Sequence, residues 1–258
     1  MKVSYFPGCT LRTKAKDLDV YARKCAQVLG VELEEIDNWQ CCGGAFTTSS
    51  DEVATKLSSV RALKHAKDKN QPLVSVCSAC HNVIKQVNYA VQNNETFASR
   101  VNNYMGEDGY HGETEVLHYL ELLRDKIGFD ALKEKVVKSL EGKKIAPYYG
   151  CLLLRPSKVM AMDDPENPSI MEDMIKAMGG EPVKFAFRNE CCGGYIALED
   201  KKSAIDKSSK VVDSAVKNGA EMIVTACPLC LYNLKKSNPQ VPIVYFTDLL
   251  AEALGVKE

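Results

Sequence analysis

Ten of the eleven cysteines fall into two sets that share one spacing. Each set has a single cysteine, then an adjacent pair, then a Cys-x-x-Cys motif that 34 residues separate from the pair. The N-terminal group is Cys9, Cys41, Cys42, Cys77 and Cys80, and the C-terminal group is Cys151, Cys191, Cys192, Cys227 and Cys230. The same cysteine spacing in both parts of the sequence predicts that the chain contains an internal duplication.

The register between the two groups locates one insertion. Cys151 follows Cys9 by 142 residues, whereas the other four cysteines follow their counterparts by 150. Eight extra residues in the second half restore the register, and we assign them to a segment that contains 163–168. We therefore predict two homologous halves, residues 1–142 and 143–258.

Both halves alternate short apolar runs with segments of helical periodicity. The runs KVSYF, VELEEI, PLVSV and TEVLHY predict strands in the first half, as do KIAPYY, EPVKFAF, EMIVTA and VPIVYF in the second. Helices are predicted at 17–29 and 51–68, and the polar segment 91–113 is predicted to be a loop. This alternation predicts an α/β fold: two Rossmann-like halves with mainly parallel sheets, related by a pseudo-two-fold axis.

One helix of the second half carries signals for both of its ends. The residues SIME at 169–172 match the capping box Ser-x-x-Glu, which begins a helix. Gly179 follows the last predicted turn and is expected to end that helix.

Charge and hydropathy narrow the class of protein. Lys plus Arg (33) nearly balance Asp plus Glu (34), so no basic field favours nucleic acid or an anionic membrane. We see no signal peptide, and no window approaches the roughly 18 apolar residues of a membrane helix. The sequence thus predicts a cytoplasmic protein without membrane insertion, in which thiols stay reduced. Eleven cysteines then indicate metal ligands or redox groups.

Every cysteine of the two groups follows closely on a predicted strand. Loops at the carboxyl ends of parallel strands meet at one edge of the sheet, so the five thiols of each half should gather there. Helices begin soon after these loops, and their free N–H groups would stabilise an anionic centre. Four glycines follow the cysteine pairs and either form turns or allow close backbone approach: Gly43, Gly44, Gly193 and Gly194.

Ligand counting leaves the kind of metal centre open. A structural zinc site takes four ligands, and so does an ordinary cubane [4Fe-4S] cluster. Five cysteines per half indicate either a bridging thiolate in an unusual cluster or one reactive cysteine that is not a ligand. Spacing alone does not decide between them.

The tandem pattern resembles the CCG domains of HdrB, the cysteine-rich component of heterodisulfide reductase, and the likeness includes YYGCLLLRP at 148–156 and DDPENPSI at 163–170. The resemblance implies that each group of five cysteines binds one non-cubane [4Fe-4S] cluster. It also implies that the two clusters face each other across the halves and that a substrate disulfide is cleaved between them. Related CCG-domain subunits of lactate, glycolate and glycerol-phosphate dehydrogenases suggest an alternative, an electron-relay subunit without disulfide chemistry.

Electrons are expected to come from another polypeptide. The chain has neither the Cys-x-x-Cys-x-x-Cys run of ferredoxins nor a Gly-x-Gly-x-x-Gly fingerprint for flavin or nicotinamide. The resemblance implies a small partner subunit with cubane clusters (HdrC-like) and a large flavin subunit (HdrA-like), which in anaerobes can perform electron bifurcation. A zinc-bound structural module is the third class of function that we consider.

Three further residues call for a functional interpretation. Leu152 stands where the family often carries a histidine, which puts the coenzyme M–coenzyme B heterodisulfide in doubt as substrate. His81 is either a replacement for that histidine or an ordinary residue of a helix start. Cys25 lies outside both groups and is predicted to be a buried apolar residue.

Cations follow the first cysteine of each group. Arg12 and Arg155 are candidates for contacts with cluster charge or with an anionic substrate. The lysines Lys14, Lys16 and Lys158 are predicted to lie on solvated helix faces.

Overall fold

Each half forms its own four-stranded sheet, and all strand pairs are parallel. The computed structural model describes residues 1–44, 53–106 and 109–257. The strand orders are β2-β1-β3-β4 and β6-β5-β7-β8, which are equivalent. The strands are β1 (Lys2–Phe6), β2 (Glu32–Glu35), β3 (Leu73–Ser75), β4 (Val116–His118), β5 (Lys144–Tyr148), β6 (Glu181–Pro182), β7 (Met222–Thr225) and β8 (Ile243–Tyr245). The predicted α/β fold of two related halves is confirmed.

Helices flank both sheets. Those of the first half are α1 (Cys9–Thr13), α2 (Lys16–Val28), α3 (Leu57–Asp68), α4 (Ser78–Asn93), α5 (Glu95–Met105), α6 (Tyr119–Glu121), a π-helical turn (Leu122–Ile127) and α7 (Phe129–Glu134). Those of the second half are α8 (Ser157–Met160), α9 (Ile170–Ala177), a 3-10 turn (Ile196–Leu198), α10 (Lys201–Lys217), α11 (Pro228–Lys236) and α12 (Phe246–Ala253). In the described part of the chain, no helix is both long enough and apolar enough to cross a membrane.

The predicted helix 17–29 is confirmed as α2, shifted by one residue. The predicted helix 51–68 is confirmed at its C-terminal end, where α3 stops at Asp68. Its first two positions lie outside the described residues.

The prediction of a loop at 91–113 was wrong for most of its length. Helix α4 continues to Asn93, and the side chain of Asn94 then caps α5 by accepting a hydrogen bond from Phe97 N at 3.0 Å. Within α5 only Phe97 and Val101 are buried. Because so few apolar residues anchor this helix, its sequence looks like that of a polar loop.

Helix α9 begins directly after Ser169, as the motif at 169–172 predicts, but the side chains of Ser169 and Glu172 do not form the predicted capping box. Asp163 Oδ2 accepts hydrogen bonds from Ser169 N at 2.6 Å and from Ile170 N at 2.8 Å. The Glu172 carboxylate instead accepts a hydrogen bond from the buried Tyr149 hydroxyl. An aspartate of the predicted insertion thus caps α9.

The other end of α9 follows the prediction. Gly179 has φ +86°, and its N–H donates to Lys176 O at 2.9 Å. The strand predicted at 181–187 is much shorter, since β6 ends at Pro182. Beyond it the chain turns, and Arg188 O accepts a hydrogen bond from Tyr149 N at 2.8 Å.

The halves are joined by a reciprocal exchange of helices. Helix α12, which follows the last strand of the second half, packs against α2 of the first half. Helix α7, which follows the last strand of the first half, packs against α9 of the second. Together they place residues of both halves in one hydrophobic core.

The two cysteine regions meet at the centre of this interface. Tyr245 Oη lies 2.7 Å from Val76 O and 2.8 Å from Ala226 O. Ser78 Oγ also donates to Ala226 O, at 2.6 Å. Because Val76 and Ala226 directly precede Cys77 and Cys227, these bonds hold the two Cys-x-x-Cys loops side by side.

Candidate metal centre

The five cysteines of each half line one hollow at the carboxyl ends of its strands. The N-terminal group lines a cavity of about 450 Å³, which we call the N-terminal cavity. The C-terminal group lines an enclosed hollow of about 10 Å³. The fold therefore brings together all ten cysteines that the sequence singled out, in two neighbouring sets of five.

The sulfur contacts repeat between the halves. Cys42 Sγ lies 3.5 Å from Cys80 Sγ, and the equivalent pair Cys192 and Cys230 is separated by the same 3.5 Å. In the first half, Cys41 Sγ also lies 3.8 Å from Cys9 Sγ. Equal distances at equivalent positions indicate that the duplication has preserved the geometry of the thiols.

A glycine directly before each first cysteine leaves room for a sulfur. Gly8 has φ +77°, and a Cβ added to it would lie 2.8 Å from Cys80 Sγ. Gly150 has φ +65°, and its added Cβ would lie 3.1 Å from Cys230 Sγ. Our sequence reasoning missed both residues, although each half repeats the dipeptide Gly-Cys at this point.

Each group contains a thiol whose pKa is strongly lowered. Hydrogen bonds from Cys41 and Cys80 lower the pKa of Cys42 to about 3. In the other half, the pKa of Cys191 is lowered to about 2, chiefly by its hydrogen bond with Cys151. Backbone N–H groups after each cysteine pair act in the same direction. The thiols that donate these hydrogen bonds have raised pKa values in return, as for Cys80 and Cys151. The contacts thus favour thiolate, the form in which cysteine binds metals, at Cys42 and Cys191 and not at every cysteine of the group.

This donor set suits a thiolate-bound cluster better than a single ion. Within 1–44, 53–106 and 109–257, no three His, Cys, Asp or Glu side chains are grouped as they would be around one metal ion. A tetrahedral zinc site takes four ligands, which would leave one thiol of each group unused. Five converging thiols with N–H donors behind them fit an anionic polynuclear centre.

Two side chains separate the cysteine groups. Tyr195 and Leu229 line both the N-terminal cavity and the C-terminal hollow. The Tyr195 hydroxyl donates to Gly44 O at 3.1 Å, which links the glycine turns of the two halves. Burial raises the pKa of Tyr195 to about 12, and cysteines of both halves add to the shift. Sequence reasoning missed Tyr195, although it directly follows the second Cys-Cys-Gly-Gly motif, and that position could have identified it.

The two candidate arginines pair with carboxylates. Arg12 forms an ion pair with Glu35, and Arg155 Nη2 lies 2.8 Å from Glu166 Oε1. Neither arginine lines the cavity or the hollow. Lys14 is exposed, as we expected, and it also lines the N-terminal cavity, as does Lys235 on α11.

His81 faces the protein interior. Its side chain is fully buried, and its Nε2 lies 3.3 Å from Glu121 Oε2. The ring of His118 packs against it edge-on at 5.5 Å, and burial lowers the pKa of His81. Because His81 lines neither hollow, this structure gives no support to a role as proton donor to a substrate.

The prediction for Cys25 is confirmed, and Leu152 lies beside the second cysteine group. Cys25 is fully buried on α2, and burial raises its pKa to about 12. Leu152 lines the C-terminal hollow and adds an apolar wall there.

Comparison with known proteins identifies the class. The model of the cysteine-rich domain (CCG) matches residues 3–85 and again 145–235. The chain therefore belongs to the family of tandem CCG-domain proteins, which includes HdrB of heterodisulfide reductase.

Two curated relatives are similar over nearly the whole chain. The first is the 8-methylmenaquinol:fumarate reductase membrane anchor subunit of Wolinella succinogenes, with 32% identity over 98% of this chain and 92% of the relative. The second is a heterodisulfide reductase HdrB-like protein of Archaeoglobus profundus, with 27% identity over 99% of this chain and 91% of the relative.

A solved structure shares the fold. The crystal structure of a hypothetical protein from Helicobacter pylori matches 100% of this chain with a TM-score of 0.76 at 12% identity. This chain spans 49% of that protein's length.

Proposed function

We propose that this chain is the iron–sulfur subunit of a heterodisulfide reductase-like complex and that its ten grouped cysteines hold two non-cubane [4Fe-4S] clusters. Support comes from five thiols per half, from family membership and from two relatives named as reductase subunits or similar to one. When bound, the clusters would supply two one-electron carriers. Partner subunits with cubane clusters and flavin would deliver the electrons.

The observation that carries this proposal is the N-terminal cavity. It opens beside Cys9 and Cys41, the two exposed cysteines of the N-terminal group. Its other wall is α11, which contributes apolar side chains such as Leu231. A small molecule in this cavity would therefore lie against the sulfurs of one centre.

The first candidate reaction is reduction of a disulfide in this cavity. A disulfide, two electrons and two protons give two thiols, so two one-electron carriers match the demand. Lys14 and Lys235 at the cavity would attract a substrate that carries carboxylate or sulfonate groups.

The second candidate is an electron-transferring subunit of a quinol:fumarate reductase complex, without disulfide turnover. It is favoured by the relative from Wolinella succinogenes, whose 32% identity exceeds the 27% of the heterodisulfide reductase-like relative. The apolar wall of the cavity is also compatible with a quinol ring.

Turnover with two disulfides of opposite charge separates these candidates. The anaerobically purified chain, with reduced viologen as donor, is expected to reduce oxidised glutathione faster than the dicationic disulfide cystamine. Absence of turnover with either disulfide, in protein that contains its full iron, would favour the second candidate.

Removing the cavity lysines tests the role of charge. The double variant Lys14→Ala, Lys235→Ala is expected to raise KM for oxidised glutathione about 2–30-fold with little change in kcat, because each of the two exposed ion pairs contributes only about 0.2–1 kcal/mol. The effect should shrink at high ionic strength. Arg12→Ala is the matched control, since Arg12 pairs with Glu35 outside the cavity. An equal rise in KM for cystamine would contradict this interpretation.

A further inference from the structure

We infer that Tyr245, together with Ser78, couples the two cysteine centres: it fixes the separation of their Cys-x-x-Cys loops and forms a hydrogen-bonded path between them. This inference rests on the proposed function, in which the electrons of both centres are used in one reaction. Tyr245 lines neither the N-terminal cavity nor the C-terminal hollow, so it is a positioning residue. It acts through the backbone carbonyls that directly precede the cysteines.

Tyr245 and His118 occupy equivalent positions at the ends of the last strands of the two halves. Tyr245 pairs with Thr225 in the second sheet, and His118 pairs with Ser75 in the first. Thr225 and Ser75 each lie two residues before a Cys-x-x-Cys motif. Both rings are fully buried, and both residues are the N-cap of the helix that follows. The duplication has thus placed a hydrogen-bonding ring beside each motif.

His118 donates a hydrogen bond to a carbonyl of its own half. Its Nδ1 accepts a hydrogen bond from Leu120 N at 3.2 Å, so the ring carries its proton on Nε2. Nε2 lies 3.0 Å from Val76 O, the carbonyl directly before Cys77, and donates to it. One face of the first motif is therefore held by a residue of the first sheet.

Tyr245 lies between the carbonyls of both halves. Its Oη is 2.7 Å from Val76 O in the first half and 2.8 Å from Ala226 O in its own half. A hydroxyl has one proton and both partners are acceptors, so the two loops share that proton or receive it in turn. One hydroxyl group thus joins the peptide bonds that lead into Cys77 and Cys227.

Ser78 makes the reciprocal contact from the first half. Its Oγ donates to Ala226 O at 2.6 Å, and its backbone N lies 3.4 Å from the same oxygen. The equivalent residue of the second motif is Pro228, which has neither an N–H nor a hydroxyl to return this bond. The second half instead reaches the first motif through Tyr245.

Aromatic packing holds the two rings in place. The ring of Phe246 lies 5.0 Å from that of Tyr245 and 5.8 Å from that of His118. Phe246 also packs at 5.7 Å against Tyr119, its equivalent in the first half. Equivalent residues of two halves touch only where the halves meet, so this cluster lies at the centre of the junction. Close packing there leaves the Tyr245 ring little freedom, which keeps its hydroxyl between the two carbonyls.

This bridge matters for a reaction that uses two electrons. Reduction of a disulfide to two thiols takes two electrons and two protons, so electrons held at both cysteine groups must reach one substrate. Loss of the hydroxyl, or a change in the separation of the two loops, is expected to slow this reaction. Exchange of a single electron with a donor should be unaffected, because the ten cysteines themselves are unchanged.

Tyr245→Phe removes the hydroxyl and keeps the ring. In the anaerobically loaded chain, with reduced viologen as donor, the variant is expected to keep its iron and to lose about tenfold in kcat for oxidised glutathione. The rate of the first electron transfer from viologen, measured by stopped-flow absorbance, should not change. In EPR spectra of the fully reduced chain, the magnetic interaction between the two centres should weaken.

Tyr119→Phe is the matched control. Tyr119 is fully buried, packs on the same Phe246 ring, and donates its hydroxyl to a backbone carbonyl, Ala22 O at 3.0 Å. That bond stays within the first half, and the equivalent position already carries phenylalanine. The control should keep both kcat and the magnetic interaction. An unchanged interaction in Tyr245→Phe, or an equal change in the control, would overturn the inference.

Urea unfolding of the metal-free chain tests the bridge without any cluster. Tyr245→Phe or Ser78→Ala alone leaves Ala226 O one side-chain donor, whereas the double variant removes both. The double variant should therefore lower the urea midpoint by more than the sum of the two single shifts. Ser78→Ala combined with Tyr119→Phe should give additive shifts. Additive shifts for Tyr245 and Ser78 would show that the two bonds are independent and would contradict the inference.

These measurements distinguish failure of this inference from failure of the proposed function. Full iron without turnover of any disulfide would contradict the first candidate function, while the EPR interaction and the urea midpoints would still test the bridge. If Tyr245→Phe does not fold, Ser78→Ala takes its place and should weaken the magnetic interaction in the same direction. An unchanged interaction in Ser78→Ala would then overturn the inference.

Discussion

Replacing Cys80 by serine is expected to halve the iron content, from about eight atoms per chain to about four. Cys80 is buried at the centre of the N-terminal group, where its sulfur lies 3.5 Å from Cys42 Sγ. A serine oxygen is a poor substitute for a thiolate that binds iron. Because the C-terminal group has its own five thiols, its cluster should remain. Anaerobic iron and sulfide analysis measures both.

Two further variants make this result specific. Cys230→Ser is the mirror variant and should remove the other half of the iron. Cys25→Ala should keep all of it, because Cys25 is buried on α2 and lies outside both groups. Loss of all iron from Cys80→Ser would show that the two centres are not independent, and stoichiometric zinc in the unaltered protein would refute the cluster assignment.

Gly8→Ala is expected to cost the protein both stability and iron. Gly8 has φ +77° and ψ 160°, a combination that is essentially limited to glycine, so an alanine there is strained by about 1–3 kcal/mol. Its Cβ would also lie 2.8 Å from Cys80 Sγ, so the sulfur must move. Gly30→Ala isolates the first effect, because Gly30 has φ +76° but nothing within 4 Å of the added Cβ.

Unfolding free energy and iron content are compared between Gly8→Ala and Gly30→Ala. Urea unfolding should show a backbone cost for both variants and a larger loss of stability for Gly8→Ala, whose added Cβ also displaces the Cys80 sulfur. Iron content should fall by about half in Gly8→Ala, since only the N-terminal cluster of four irons is affected, and stay full in Gly30→Ala. If both variants keep their iron, Gly8 does not position the Cys80 sulfur for metal binding.

The duplicated fold could be predicted because its signals are local. Buried parallel strands appear as continuous apolar runs, and seven of the eight predicted strands lie where the runs indicated. Helix α5 was missed because only Phe97 and Val101 anchor it. The capping box failed because Tyr149, distant along the chain, draws Glu172 into the interior. The first error thus comes from a weak local pattern, and the second from a contact that a local pattern does not contain.

The cysteines of the site could be predicted, but its walls could not. Spacing identifies thiols, since cysteine is rare and the two groups repeat. Lys235 and Tyr232 belong to the second half, yet they line the N-terminal cavity beside cysteines that are distant along the chain. Arg12 seemed well placed by sequence, yet Glu35 of the adjacent strand β2 pairs with it.

The exchange of α7 and α12 gives this protein the form of a homodimer whose subunits have been joined by a peptide link. In a true homodimer one gene encodes both copies, so a substitution such as asparagine at position 82 would appear in both sites at once. Fusion removes this constraint. Asn82 and Tyr232, two residues after Cys80 and Cys230, show the result: equivalent positions hold a buried asparagine in one half and an exposed tyrosine in the other.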